Sequence, residues 1–553
     1  MATPAEQGAA AAVRMFTDRA ERAGATIDDL DAVVALCRRL DGIPLALELA
    51  ASRVRAFSPA QILEQLEAGW SVSAARPGGA PERQVSLADA IDWSFRLLGD
   101  DERSILLSLS TFRGAFDVAA ASAVAGTDVM TTADRLLQLV DQSMVQSVPG
   151  RAGRRFRLLE IVRSFTARRL DADLAATARD RHAAYFAARV DELGERVPGP
   201  DEDDALGQLG VEFDDVHAAF DHAAAAGDVD TAARLANGPR LSLSIEGARW
   251  AHLAGRACSL PGIEDHPLRL SLLASAAWSA VLVADVARAR ELAAAGTELA
   301  GDRSRHVRLC WISTQATGSS FTEGADTCLT GAAHAQEVGD VAGASFLFGT
   351  SAIYRLAAGD ELAAIESARR ALALAREIGS RSLRARSAGA LAYSLQDVDT
   401  AAARRVAEEV LDIADPGDFH LTLPHRVLAV LAWRDDDPDT AAEHATRAAY
   451  LIRDQGDRYV QAAGVRQLAV MVGSVDPTIS ATLLGVADSL LPVMRVIARD
   501  AVADAQLRED LRDALGAEKV ADLIAKGSRL DPRAMYAIVE DALERIRSAP
   551  RRT

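Results

Sequence analysis

Apolar residues recur at helical spacing along nearly the whole chain. The clearest segment is SLADAIDWSFRLL, in which Leu87, Ile91, Phe95 and Leu98 stand at i, i+4, i+8 and i+11 and so share one face. The pattern predicts helices over 86–98, 101–112, 116–125 and 131–142, and another over 161–170. Between the last two the period changes. In MVQSVPGRAGRRFRLLE, Val145 and Val148 precede Pro149-Gly150, after which Phe156 and Leu158 alternate with arginines, as the strands of a half-buried hairpin do. Helices followed by a two-stranded wing predict a winged-helix module.

Gly, Pro and charge cluster at ARPGGAPER (75–83) and GERVPGPDEDD (194–204), which places linkers there. The expected domains are a helical segment over 1–80, a winged-helix-like domain over 81–190, helical repeats over 200–475 and a helical cap over 476–553. The repeats announce themselves by a recurring phrase: VDTAARLA from Val229, VDTAAARR from Val398 and PDTAAEHA from Pro438, with looser copies at Asp285 and Asp360. From 285 to 360, 399 and 439 the separations are 75, 39 and 40 residues, a period near 38–40. Such a period, with an Asp opening an Ala-rich helix, predicts helix pairs stacked into a solenoid similar to a tetratricopeptide array. The Asp is expected to act as an N-cap, its carboxylate accepting the first free amides of the helix. In the tail, Asp476 and Asp531 are caps followed by Pro at the first helical position. The fold class is therefore mainly α, with one small hairpin.

Composition supports this. Apolar residues make up 49% but aromatics only 5%, so small side chains must fill the core, which suits helix packed on helix. A formal charge of −18 opposes whole-surface attraction to nucleic acid or an anionic membrane. Cys37, Cys258, Cys310 and Cys328 are too scattered for a disulfide framework or a zinc site, and point to reduced thiols. The N-terminus lacks the basic start of a signal peptide, and no apolar run is long enough for a membrane span, so a cytoplasmic location is expected.

Candidate chemistry is sparse. Basic residues concentrate once, in RAGRRFRLLEIVRSFTARRL, where Arg151, Arg154, Arg155 and Arg157 form a wing able to meet phosphates by charge. The alternative is that these arginines are solvated or paired with acids, and direct DNA binding is not the favoured reading. The nearest histidine pairs, His217 with His222 and His420 with His425, are five residues apart and lie on different helix faces. No metal site, cofactor or catalytic residue is expected, and none of the GxSxG, HExxH or GxGxxG patterns occurs. A P-loop needs a lysine at the end of a glycine-rich turn. The chain has two lysines, Lys519 and Lys526, and neither has that setting.

A family resemblance enters on three segments. VVALCRRLDGIPLALELAASRVRAFSPAQILEQL (33–66), with Gly42-Ile43-Pro44-Leu45-Ala46, resembles the helical part downstream of the nucleotide-binding core in NB-ARC or signal-transduction (STAND) ATPases. VSLADAIDWSFRLLGDDERSILLSLSTFRGAFDVAAASAV and RRFRLLEIVRSFTARRL resemble the winged-helix portion of actinobacterial members of that group, commonly described as LuxR-type or SARP-type transcriptional regulators. The resemblance implies that Pro44 would lie on the adenine side of a nucleotide, and that residues 156–160 stand where the family's Met-His-Asp motif approaches the phosphates. Here the histidine position is Leu159. Relatives place a P-loop core upstream and a LuxR-type helix-turn-helix at the C-terminal end, and both are expected to be missing from this sequence.

The resulting expectation is a non-catalytic regulatory or scaffold protein whose repeats bind a protein, a peptide or an effector. Two alternatives stand beside it: half of a split ATPase completed by a separate P-loop protein that uses Pro44, and DNA binding through the Arg-rich wing.

Overall fold

The computed structural model describes residues 4–22, 29–40, 42–54, 56–73, 90–150, 153–238, 245–282, 285–300, 320–414, 419–453, 458–490 and 498–550. Their contacts form two compact units, Met1–Arg189 with Val211–Ala226, and Val190–Gly210 with Gly227–Thr553.

The first unit begins with helices α1 (Pro4–Arg22), α2 (Leu30–Arg39), α3 (Pro44–Ala51) and α4 (Pro59–Ser73). α2 starts at Asp29, whose carboxylate accepts from the Ala32 amide at 2.8 Å, and α3 starts on Pro44, whose fixed φ suits a first helical position. Phe16, Leu36, Leu40, Leu47 and Leu49 from α1 to α3 are buried together with Ile62 of α4. A helical stretch at 90–96 (α5) follows, then α6 (Asp100–Leu109), α7 (Val118–Ala125) and α8 (Val129–Asp141). An antiparallel hairpin, β1 (Gln146–Gly150) with β2 (Gly153–Arg157), and α9 (Glu160–Ala167) complete the module. The alternating pattern thus folds as the wing it predicted.

Two local expectations are corrected. The 116–125 helix begins at Val118, because Asp117 caps it and Phe116 is extended, exchanging both backbone hydrogen bonds with Phe156 at 2.7 and 2.8 Å. The Pro149-Gly150 pair is also no turn: β1 runs through it, pairing Pro149 with Arg154 and Gly150 with Gly153.

α10 (Ala172–Glu195) and α11 (Glu202–Ala226) each contribute residues to both units. The second unit continues with α12 (Val229–Ala236), α13 (Ile245–Ala257), α14 (Arg269–Leu282) and α15 (Val286–Ala300). Beyond them come α16 (Phe321–Glu337), α17 (Val341–Ala357), α18 (Glu361–Ile378), α19 (Arg381–Leu395), α20 (Thr400–Leu411), α21 (Thr422–Arg434), α22 (Pro438–Arg453), α23 (Arg458–Val472) and α24 (Pro477–Leu490). Neighbours pack in succession, and α17, α19, α21 and α23 also touch each other in turn, which is the layering of a repeat solenoid. The second helices of successive pairs begin at Glu361, Thr400, Pro438 and Pro477, spaced 39, 38 and 39 residues apart, as the recurring phrase predicts. Buried alanines such as Ala364, Ala368, Ala371 and Ala375 on α18 keep the layers close.

The caps follow the expected chemistry but not always the expected residue. Asp360 and Asp399 cap α18 and α20 through the amides of Ala363 and Ala402. At the other two phrases the cap is Asp228, not Asp230, and Asp437, not Asp439. Pro438 explains the second case: it has no amide hydrogen and occupies the first turn, so the carboxylate must precede it. Asp476 and Asp531 cap α24 and the last helix, each followed by Pro. The chain ends in α25 (Ala498–Leu515), α26 (Ala517–Gly527) and α27 (Pro532–Arg547). α24 and α26 cross at Gly485 and Gly527, where a methyl group on either would sit 2.0 Å from a carbonyl oxygen of the other helix.

Candidate functional site in the winged-helix module

The module is built around stacked aromatic rings. Phe112 and Phe116 lie 4.3 Å apart between centroids, Phe156 stacks on Phe116 at 6.5 Å, and Phe95 meets Phe165 edge-on at 5.7 Å. Asp215 on α11 fixes the loop that carries these rings. Its carboxylate accepts from the amides of Arg113 at 2.6 Å and Gly114 at 3.0 Å, and from His182 Nε2 at 3.1 Å. Asp215 and His182 are almost fully buried, and the imidazole is enclosed by Phe112 and Phe186. A carboxylate in this position leaves Nε2 as the protonated nitrogen. Through these three bonds the pair fastens the 113–114 loop to α10 and α11.

The wing arginines do not act together. Arg155 turns inward: its guanidinium donates to the Ala115 carbonyl at 2.6 and 3.0 Å and to Glu212 at 3.2 Å. Glu212 is only 3% exposed; burial pushes its carboxyl above the usual range while Arg155 and Arg189 hold it down. Arg155 is therefore removed from the expected phosphate-binding set, because its charge is already used to offset a buried carboxylate. Arg154 and Arg157 remain exposed, bonded lightly to Ser147 Oγ at 3.2 Å and Gln146 Oε1 at 3.1 Å. Arg151 lies outside the described residues. Further along, Arg163 pairs with Glu160, and Arg169 binds Asp92 at 2.6 Å while resting on the Phe165 ring at 3.6 Å.

The helix that a winged helix-turn-helix offers to a partner is α8, and its outer face is unlike a base-reading surface. Thr132, Leu136 and Leu139 are buried in the module. Met130, Asp134, Leu137 and Asp141 fall at i, i+4, i+7 and i+11 and are all exposed. The one cation of the helix, Arg135, is tied to Asp101 at 3.1 Å, Glu102 at 3.3 Å and Gln138 at 2.9 Å. Sequence reasoning passed over this stripe; a helical wheel of VMTTADRLLQLVD carries the signal.

Beside α8 a polar cleft of about 680 Å³ opens against α1 and α3, lined by Arg19, Arg22, Glu48, Arg53, Asp141 and Gln142 among others. Arg19 pairs with Glu48 at 2.7 Å. Arg53, 9% exposed, donates to the Ser94 carbonyl at 3.0 Å, and burial lowers its pKa. Pro44 does not line this cleft; it is exposed at the start of α3. Of the segment expected near phosphates, Phe156 is a core residue and Leu159 is the residue preceding α9.

In the second unit, His425 and His444 bring their Nδ1 atoms to 2.9 Å, one imidazole donating to the other. They are 19 residues apart, which is why spacing along the chain did not reveal them. Burial pushes His425 down to about 4, helped by His444 and Arg447, and lowers His444 as well. Among the described residues no group of three His, Cys, Asp or Glu could hold a metal ion, and no helix is long and apolar enough to cross a membrane.

Comparison with known proteins agrees with the geometry of the module. Residues 98–171 match a family described as "winged helix-turn-helix domain". Over 233 residues the chain is 37% identical to a protein of Mycobacterium tuberculosis that carries the provisional name HTH-type transcriptional regulator, covering 41% of this chain and 26% of that one. A second protein of Mycobacterium tuberculosis, named only as uncharacterized, is 37% identical over 169 residues, covering 29% of this chain and 42% of its own length. The chain thus spans about a quarter of the length of the regulators it matches, 26%. Among solved structures, a STAND protein with a tetratricopeptide repeat sensor from Pyrococcus horikoshii aligns over 92% of this chain and 74% of its own, at 11% identity and a TM-score of 0.44. Residues 98–171 form a winged helix-turn-helix domain, and the chain is similar to HTH-type transcriptional regulators of mycobacteria.

Proposed function

We propose that this chain is a non-catalytic regulatory protein of the NB-ARC or STAND type, akin to LuxR- and SARP-type regulators, that works by binding a protein or peptide on its helical repeats. The observation that carries the reading is the ordered stack α16 to α24, a surface built of repeated helix pairs of the kind that presents extended binding faces. The aromatic-poor, alanine-rich core serves that stacking. The buried His182–Asp215 pair is read here as a fastening of the module. Neither lysine stands in a phosphate-cradling turn.

Affinity capture of the full chain from the cells that make it tests the reading. A protein retained by the wild type and lost when exposed positions on α18 and α20 are changed supports it; retention of no protein overturns it. Calorimetry with ATP and magnesium addresses the split-ATPase alternative, since micromolar affinity of the chain alone would overturn the reading that it holds no nucleotide site of its own. The DNA reading draws on the winged-helix match and on Arg154 and Arg157, but the inward turn of Arg155 and the acids of α8 weigh against it.

A further inference from the structure

We propose that the outer face of α8 is a docking surface for a basic amphipathic helix of a partner protein. The inference deepens the binding role above by naming a second contact site and the chemistry of what it takes.

Three observations carry it. Met130 is 73% exposed, Leu137 57% and Val129 51%, so one short helix places three large apolar side chains in water. Met130 and Leu137 stand two turns apart on one stripe, the spacing at which a helix laid across them makes successive contacts, and the flexible thioether of Met130 adapts to varied surfaces. The opposite face is anchored by Leu136 and Leu139, so the stripe is held rigidly outward and its exposure is not a packing defect.

The second observation is charge. Asp134 and Asp141 alternate with the apolar residues, Asp128 caps the helix at its start, and Asp100 and Asp101 on α6 are 99% and 75% exposed. Asp100 is paired only with Arg103 of its own helix, at 3.2 Å, and Arg135 is satisfied by Asp101, Glu102 and Gln138. The rim is therefore acidic, which repels a nucleic-acid backbone and complements Lys or Arg. The third observation is position: in a helix-turn-helix this helix is the one presented to a partner, and here its surface is made for a cationic, partly apolar one. An amphipathic helix with Leu at two-turn spacing flanked by Lys meets both requirements.

The test uses fluorescence anisotropy with the full chain and three labelled probes: a Leu/Lys amphipathic peptide, its Leu/Glu counterpart, and duplex DNA. The Leu/Lys peptide should bind, more weakly as salt rises, while the Leu/Glu peptide and DNA should not. Leu137→Glu and, separately, the pair Asp134→Lys with Asp141→Lys should each weaken it by about tenfold or more, whereas Val502→Glu at a 72% exposed site of α25 should leave it unchanged. Met130→Gln, a gentler exposed change, should weaken it in the same direction and guards against misfolding. Equal binding by all variants, equal affinity for the Leu/Glu peptide, or DNA binding that depends on α8 would overturn the proposal. Loss of the α8 effect with capture on the repeats intact would overturn this inference alone.

Discussion

Asp215 offers the sharpest test of how the module is held. Its carboxylate accepts the Arg113 and Gly114 amides and His182 Nε2, and its side chain is 2% exposed. In Asp215→Ala the acceptor disappears while three donors stay largely out of water. Each buried donor left unmade costs about 1–3 kcal/mol, and partial rescue by water at the less buried amides brings the total to about 3–5 kcal/mol. Asp215→Asn keeps one oxygen but sets an amide NH₂ against a backbone N–H, for a loss of about 2 kcal/mol. Because the chain has two compact units, one global unfolding energy is not a well-defined reporter. Hydrogen exchange of the 110–118 segment reads the local opening directly. The Ala variant should exchange there about a hundredfold or more faster than wild type, with α16 to α24 unaffected. An acceleration below about tenfold, or one spread evenly over both units, would refute the assignment of Asp215 as the fastening of this loop.

Other consequences concern the second unit. His425 is held down to about 4 and His444 is lowered, so the folded unit resists protonation that the unfolded chain accepts near 6.5; stability is full above that value and falls as pH drops toward about 4. A Tm-against-pH profile should show this slope, and His444→Gln should flatten it. Glu202 is fully buried and accepts from Ser380 Oγ at 2.7 Å and the Ser382 amide at 2.6 Å, so Glu202→Ala should cost about 3 kcal/mol, read as faster proteolysis around 196–204. Gly485→Ala would drive a methyl against the Ile524 carbonyl and force α24 from α26, lowering the stability of the C-terminal helices by about 3 kcal/mol in denaturant unfolding.

What the sequence made legible depended on how local its cause was. The hairpin was readable because period-2 alternation is written in five consecutive residues, and the repeats because the second helix of several pairs opens on a similar short phrase. Capping was readable as chemistry but not to the residue: the phrase of Pro438 contains Asp439, yet the helix recruits Asp437 across the proline. Phe116 was misread as helical because its partner, Phe156, is 40 residues away and supplies the hydrogen bonds that make it extended. The same distance problem hid the site. Counting arginines located a basic segment, but where Arg155 points is decided by Glu212, 57 residues later, and the His425–His444 contact by the pairing of two helices. The α8 stripe was local and could have been found; it was overlooked because the basic wing beside it drew the functional reading.

The charge inventory of the module sets a limit on any DNA binding it performs. Arg135, Arg155, Arg163 and Arg169 are each paired with an acid of the same unit, and releasing them would expose Asp101, Glu212, Glu160 or Asp92 to a polyanion. Among the described residues of the wing, the arginines bonded to no acid are Arg154 and Arg157. Each neutralised phosphate contributes about 0.9 to the slope of log K against log salt, so these two arginines permit a slope of about −1.8 and a correspondingly weak complex at physiological salt. Measured by fluorescence anisotropy between low and physiological salt, a slope near that value which falls by about 2 on changing Arg154 and Arg157 to Ala would place DNA at the wing tip. A slope steeper than about −4 would mean that some of the paired arginines are released on binding, and the electrostatic argument for a protein-facing module would fail.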